Sequence, residues 1–189
     1  MKKIAVFASG TGTNFDAIAD NIDSGILDAK IELLVVDQKK AKVIEKGLKR
    51  NIETLVLSPK DFESKAQYEQ TILKRLKEKE VEWIILAGYM RIVTSVLLDA
   101  YENRIINIHP SLLPDYRGLD AIGQAYNAHA PRMGVTIHYV DSGLDTGNII
   151  AQVGFDVDPS WSKDECERRI HAIEHVLYTN TLKKLWEEK

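Results

Sequence analysis

The chain has 189 residues, 44% of them hydrophobic, and a formal net charge of −3 at pH 7. That length suits one sizeable α/β core, expected as a single domain over 1–189, and the mild acidity argues against a protein built to grip nucleic acid. No apolar run approaches the ~20 residues that cross a bilayer, so no membrane partner is expected. The one cysteine, Cys166, excludes an intrachain disulfide and fits a reducing cytoplasm.

Residues 4–8 form a short apolar run, read as a buried first strand and not as a signal peptide. A Gly/Thr loop over 9–14 follows, then apolar residues at helical spacing over 15–22. A second strand is predicted at 31–36, a charged amphipathic helix at 42–50 and a third strand at 54–57. Ser58-Pro59 opens a turn, and a Lys/Glu-rich helix runs over 64–79. A fourth strand at 83–87, a helix at 94–101 and a fifth strand at 105–109 complete the alternation. Strands alternating with helices imply a parallel sheet with right-handed crossovers. The pattern then changes to two successive strands, 134–140 and 148–153, which suggest an appended hairpin. Ser162 and Glu165 have capping-box spacing at the head of a last helix that reaches towards Trp186. The expected fold is thus α/β, a Rossmann-like, mostly parallel twisted sheet flanked by helices, with a C-terminal hairpin and a final helix.

Several loops carry chemistry. Ser9-Gly10-Thr11-Gly12-Thr13-Asn14 lies between the first strand and the first helix. Glycines let a backbone approach an anion, and a helix N-terminus offers N–H groups and partial positive charge. Phe15 stands where the dinucleotide fingerprint needs glycine, and the P-loop lysine is missing, which points to a single phosphate. The alternative is a tight turn with a helix cap. Asn107 and His109, two residues apart on a strand, point to one face, at the strand end where open α/β sheets place ligands. Each also reads equally well as structural, His109 as a core histidine bonded to a carbonyl. Asp145, in the loop joining the hairpin strands, either orients the imidazole of His109 or is a solvated turn aspartate. Gly88-Tyr89-Met90-Arg91-Ile92 either lines a pocket for a flat ring or is an ordinary loop with Met90 in the core. His138 reads as a core histidine. No metal-ligand spacing, no Gly-x-Ser-x-Gly elbow and no loop cysteine is present, so neither metal nor covalent catalysis is expected.

Taken together, the motifs resemble the glycinamide ribonucleotide formyltransferase family. The resemblance spans nearly the whole chain. It rests on Ser9-Gly10-Thr11-Gly12-Thr13-Asn14, Leu86-Ala87-Gly88-Tyr89-Met90-Arg91, Asn107-Ile108-His109-Pro110-Ser111-Leu112-Leu113-Pro114 and Asp141-Ser142-Gly143-Leu144-Asp145-Thr146-Gly147. It implies transfer of a formyl group from 10-formyltetrahydrofolate to the amine of glycinamide ribonucleotide, in purine synthesis, with no metal. Asn107, His109 and Asp145 match the catalytic trio. Gly12, Thr13 and Asn14 match the loop holding the ribonucleotide phosphate, and Glu174 matches a contact to the same substrate. Met90, Arg91, Ile92 and Val93, with Asn107 and the loop from Asp141 to Asp145, match the folate-binding wall, and Lys65 falls where a basic residue lies near the folate. In that scheme Asn107 and protonated His109 donate hydrogen bonds to the formyl oxygen as the amine attacks, and Asp145 keeps the imidazole charged.

Thr11 and Thr13 stand where Asn or Ser is more usual, Tyr178-Thr179 replaces Tyr-Pro, and the segment Asn127-Ala128-His129-Ala130-Pro131-Arg132 is atypical. Formyltetrahydrofolate hydrolase uses the same trio but with a preceding regulatory domain. Methionyl-tRNA formyltransferase shares the central motifs but adds an RNA-contacting domain. A phosphate-ligand binding module would not need all three residues of the trio. Oligomeric state is left open.

Overall fold

The structure is a computed structural model that describes residues 1–187. Its elements in chain order are β1 (Lys2–Ala8), α1 (Thr13–Asp23), β2 (Ala29–Val36), α2 (Val43–Lys49), β3 (Thr54–Val56), a 3-10 turn (Pro59–Asp61), α3 (Lys65–Glu78), β4 (Trp83–Leu86), α4 (Ser95–Ala100), β5 (Ile105–His109), α5 (Ala121–Asn127), β6 (Arg132–Tyr139), β7 (Ile149–Asp156) and α6 (Lys163–Glu187). The strands form a seven-stranded sheet in the order β3-β2-β1-β4-β5-β6-β7. The α/β fold expected from the sequence is the one formed. By contacts the chain divides into two compact units, Met1–Ile106 and Asn107–Lys189.

In the first unit β1 pairs in parallel with β2 on one side and β4 on the other, and β2 pairs in parallel with β3. A strand flanked on both sides and covered on both faces should be apolar throughout, and residues Ile4, Ala5, Val6, Phe7 and Ala8 are wholly buried. Helix α3 buries Tyr68, Ile72 and Leu76, spaced four apart along one stripe. Its N-cap Ser64 accepts a hydrogen bond from the Gln67 amide at 3.1 Å. Buried Glu69 on the same helix accepts from the Thr94 amide at 2.8 Å, and so fixes the entry to α4.

In the second unit β6 and β7 form the expected antiparallel hairpin. The pairing runs regularly from Arg132↔Asp156 to Ile137↔Ala151, then steps to His138↔Ile149. Such an irregularity re-aims the side chain beside it. Helix α6 buries Cys166, Ile170, Glu174, Tyr178 and Leu182, an unbroken i, i+4 stripe with one carboxylate at its centre. The Glu165 amide donates to Ser162 Oγ at 3.2 Å, while the Glu165 carboxylate pairs with Arg168 and Arg169. One half of the predicted capping box is therefore made. The seven-residue α5 was not expected; it begins at Asp120, whose carboxylate accepts from the Gly123 amide at 3.2 Å.

Gly134 and Gly154 face each other across the hairpin, and Leu112 fills the space they leave. A Cβ on Gly134 would come within 2.3 Å of the Val153 carbonyl oxygen and 2.5 Å of Leu112 Cδ2. Since Val153 is held in the ladder, Gly134→Ala should destabilise the protein by about 1–3 kcal/mol, the usual cost of overpacking. Urea denaturation measures this, and an unchanged midpoint would contradict the packing described.

Candidate functional site

Three of the residues singled out from sequence come together in the second unit. Asn107 and His109 project from β5, and Asp145 sits in the loop between β6 and β7. Asp145 Oδ2 lies 3.4 Å from His109 Nδ1, and the Asp145 side chain is only 10% exposed. It is therefore no solvated turn aspartate. Its backbone φ of 52° lies in the left-handed region, which Asp tolerates better than most residues and which recurs at functional positions. The Gly118 amide donates to Asp145 Oδ2 at 2.9 Å. Burial works to raise the pKa of this carboxyl, but its surroundings, the Gly118 N–H and His109 among them, outweigh it and hold the carboxyl below its ordinary value.

His109 is buried, and its Nε2 lies 2.9 Å from the Tyr116 carbonyl oxygen, to which it donates. Both ring nitrogens thus face oxygen acceptors, which the protonated imidazole satisfies together. The contact to the Tyr116 carbonyl is the one the structural reading of His109 expected. The turn around Tyr116 is tight, with φ of 54° at Tyr116 and 80° at Gly118.

A fourth residue joins the trio that sequence reading had assigned to the core. His138 is 2% exposed. Its Nε2 lies 3.3 Å from Asn107 Nδ2 and 3.7 Å from Asp145 Oδ1, and its Nδ1 lies 2.8 Å from the Tyr139 carbonyl oxygen. Thr136, two residues earlier and also buried, holds the loop that follows β5. Its hydroxyl donates to the Ser111 carbonyl at 2.7 Å and accepts from the Leu113 amide at 3.1 Å and from Gln152 Nε2 at 2.7 Å. The signal for both was a pair of polar residues on one face of an otherwise apolar strand.

Glu174 lies elsewhere in the second unit, on the buried stripe of α6, 5% exposed and 2.9 Å from His171 Nδ1. Exposed Asp141 organises its own loop, accepting from the Gly143 amide at 3.0 Å and the Thr146 hydroxyl at 2.7 Å.

The remaining candidates belong to the first unit. Gly12, with φ of 76°, precedes Thr13 at the head of α1, and a Cβ there would meet Val43 Cγ2 at 2.4 Å. Only glycine satisfies both demands. Thr11 and Thr13 are exposed and Asn14 is buried. Lys65 is exposed at the first turn of α3. Met90 is 63% exposed, Arg91 and Ile92 are also exposed, and Val93 is buried. Met90 is thus not a core residue, contrary to one of the two readings. Arg91 Nε lies 2.7 Å from the carboxylate of buried Asp37, which raises the pKa of the guanidinium further. The Met90 amide donates to Ser9 Oγ at 2.8 Å, joining this loop to the glycine loop. Among the described residues, no group of three or more His, Cys, Asp or Glu is placed to hold a metal, and no helix is long and apolar enough to cross a membrane.

The formyl transferase family model matches residues 2–182. The phosphoribosylglycinamide formyltransferase of Bacillus subtilis is 49% identical over 98% of this chain and 95% of its own. The crystal structure of glycinamide ribonucleotide transformylase 1 from Geobacillus kaustophilus superposes with a TM-score of 0.95, at 52% identity over 98% of both chains. That of phosphoribosylglycinamide formyltransferase from Bacillus halodurans gives 0.95 at 47% identity, over 97% of this chain and 95% of the other.

The hydrogen bond to Glu174 raises the pKa of His171 above its ordinary 6.5, outweighing burial, and the charges of Glu174 and Glu167 add to it. A folded-state value above the unfolded one means the pairing stabilises fully below the unfolded pKa and fades as pH rises through the folded one. NMR titration should find His171 above 6.5, with Glu174→Gln bringing it down; a wild-type value at or below 6.5 would disprove the pairing.

Proposed function

The chain belongs to the formyl transferase family, and we infer that it transfers the formyl group of 10-formyltetrahydrofolate to the amine of glycinamide ribonucleotide, a step of purine synthesis. The observation that carries the assignment of roles is one cluster, around the buried His109, holding an amide, an imidazole and a carboxylate: Asn107, His109 and Asp145. The same reading treats 1–189 as one formyltransferase domain, supported by the extent of the family match. It places the reaction in the cytoplasm, in keeping with a single buried cysteine.

The substrate amine attacks the formyl carbon, and negative charge collects on the formyl oxygen. The second N–H of Asn107 Nδ2 and an N–H of protonated His109 donate to that oxygen, and preorganised donors of this kind supply a large share of catalysis. Both nitrogens of His109 are engaged here, so the formyl oxygen takes the place of the Tyr116 carbonyl at Nε2. The loop after β5 must yield by that one hydrogen bond. Asp145 stays at Nδ1 and holds the ring in orientation through this exchange. The amine proton passes to the departing folate nitrogen through His109 or a water, so no covalent enzyme intermediate arises and no metal is required.

Binding is assigned to further residues. Gly12, Thr13 and Asn14 hold the ribonucleotide phosphate at the positive end of α1, and Glu174 contacts the same substrate. Exposed Met90 and Ile92 suit a flat ring, and Arg91 and Lys65 suit anionic carboxylates. Val93 contributes through its backbone, its side chain being buried. Asn107, Asp141 and Asp145 complete the folate contacts.

Formation of the deformylated folate, followed with and without glycinamide ribonucleotide, should require the ribonucleotide. Equal rates would mean hydrolysis, and no turnover in either would mean a binding module. His109→Ala should lower turnover by more than about tenfold while calorimetry finds ribonucleotide binding nearly intact. Full activity in that variant would remove His109 from the chemistry.

A further inference from the structure

We propose that His138 is a positioning residue, whose unprotonated Nε2 orients the Asn107 amide so that its nitrogen faces the reaction. The inference deepens the proposed function, because it rests on Asn107 donating to the formyl oxygen.

Two contacts fix the state of the ring. The Tyr139 carbonyl, 2.8 Å from His138 Nδ1, has no proton to give, so Nδ1 carries one. In the neutral imidazole Nε2 is then a lone pair. It lies 3.3 Å from Asn107 Nδ2, which can only donate. The two contacts agree on one tautomer and one amide orientation. One Nδ2 hydrogen goes to His138, and the other is left for substrate.

The opposite arrangement shows what this prevents. A proton on His138 Nε2 would set donor against donor at Asn107. The amide would turn over, and its carbonyl oxygen would stand where Nδ2 stands, opposing negative charge instead of stabilising it. That proton would also draw on Asp145 Oδ1, 3.7 Å away, while Oδ2 faces His109. One carboxylate would serve two imidazolium ions. A neutral His138 reserves the charge of Asp145 for His109. The step in the β6–β7 register falls between Ile137 and His138, so the strand is irregular at the position where this side chain is aimed.

The test compares His138→Leu, which removes the acceptor, with His138→Gln, whose side-chain oxygen reaches towards the position of Nε2. Leucine should lower kcat by about tenfold or more with both KM values within about threefold, and glutamine should restore kcat to within about threefold of wild type. Combined with Asn107→Ala, His138→Leu should cost nothing further, because it acts through Asn107. Full kcat in the leucine variant, equal losses in both variants, or losses that multiply with Asn107→Ala would overturn the proposal. Nitrogen-15 NMR of the wild-type enzyme at neutral pH covers the case in which a variant fails to fold: His138 should show a protonated Nδ1 and a bare Nε2, and a protonated Nε2 overturns the proposal. Turnover of wild type with and without the ribonucleotide is measured alongside. Failure of the proposed function appears there, and failure of this inference appears only at His138.

Discussion

One carboxylate lies between two histidines in the second unit. Asp145 reaches His109 with one oxygen and lies near His138 with the other, and the Gly118 amide holds it in place. A buried negative charge must be compensated, and here the compensation is divided between an imidazole and a backbone N–H. Around this charge the remaining polar groups have little freedom. Asn107 presents nitrogen because His138 presents a lone pair, and His109 turns Nε2 to Tyr116 because Nδ1 faces the carboxylate.

The polypeptide supports this arrangement from two sides. Thr136 and Gln152, on neighbouring hairpin strands, bond the backbone of the loop that follows His109, and the Gly134–Gly154 pair makes room for Leu112 within that loop. The loop carrying His109's partner is thus held along residues 111–113, and on either side of Tyr116 by the bonds of Ser111 Oγ to the Asp115 carbonyl and of the Gly118 amide to Asp145.

Much of this was legible in the residues. The apolar runs at 4–8 and 83–87 read as buried strands, β4 ending one residue earlier at Leu86, and β5 has the bounds predicted for it. Helix α5 was missed because residues 121–127 have a mixed composition with a glycine at 123; the carboxylate of Asp120 starts it, and Asp120 has a φ of 51° that no periodicity shows. The trio was legible through motif resemblance, but His138 was not. An apolar strand makes a histidine look structural, and its distances to Asn107 and Asp145 are what place it beside the trio. Glu174 was legible only through the motif resemblance; it lies at the centre of the stripe Ile170, Tyr178 and Leu182, 2.9 Å from His171 Nδ1.

The bond between Ser9 Oγ and the Met90 amide has a further consequence. It ties the turn after β1 to the turn after β4, and the Ser9 amide also donates to the Gly88 carbonyl at 3.1 Å. With both bonds in place the two turns cannot drift apart independently. Their separation becomes a fixed length set by the spacing of two neighbouring strands. If one turn holds a phosphate and the other a ring, the unit acts as a gauge: it accepts a pair of ligands whose reacting ends fall the right distance from those anchors, and excludes pairs that are too long or too short, whatever their chemical groups.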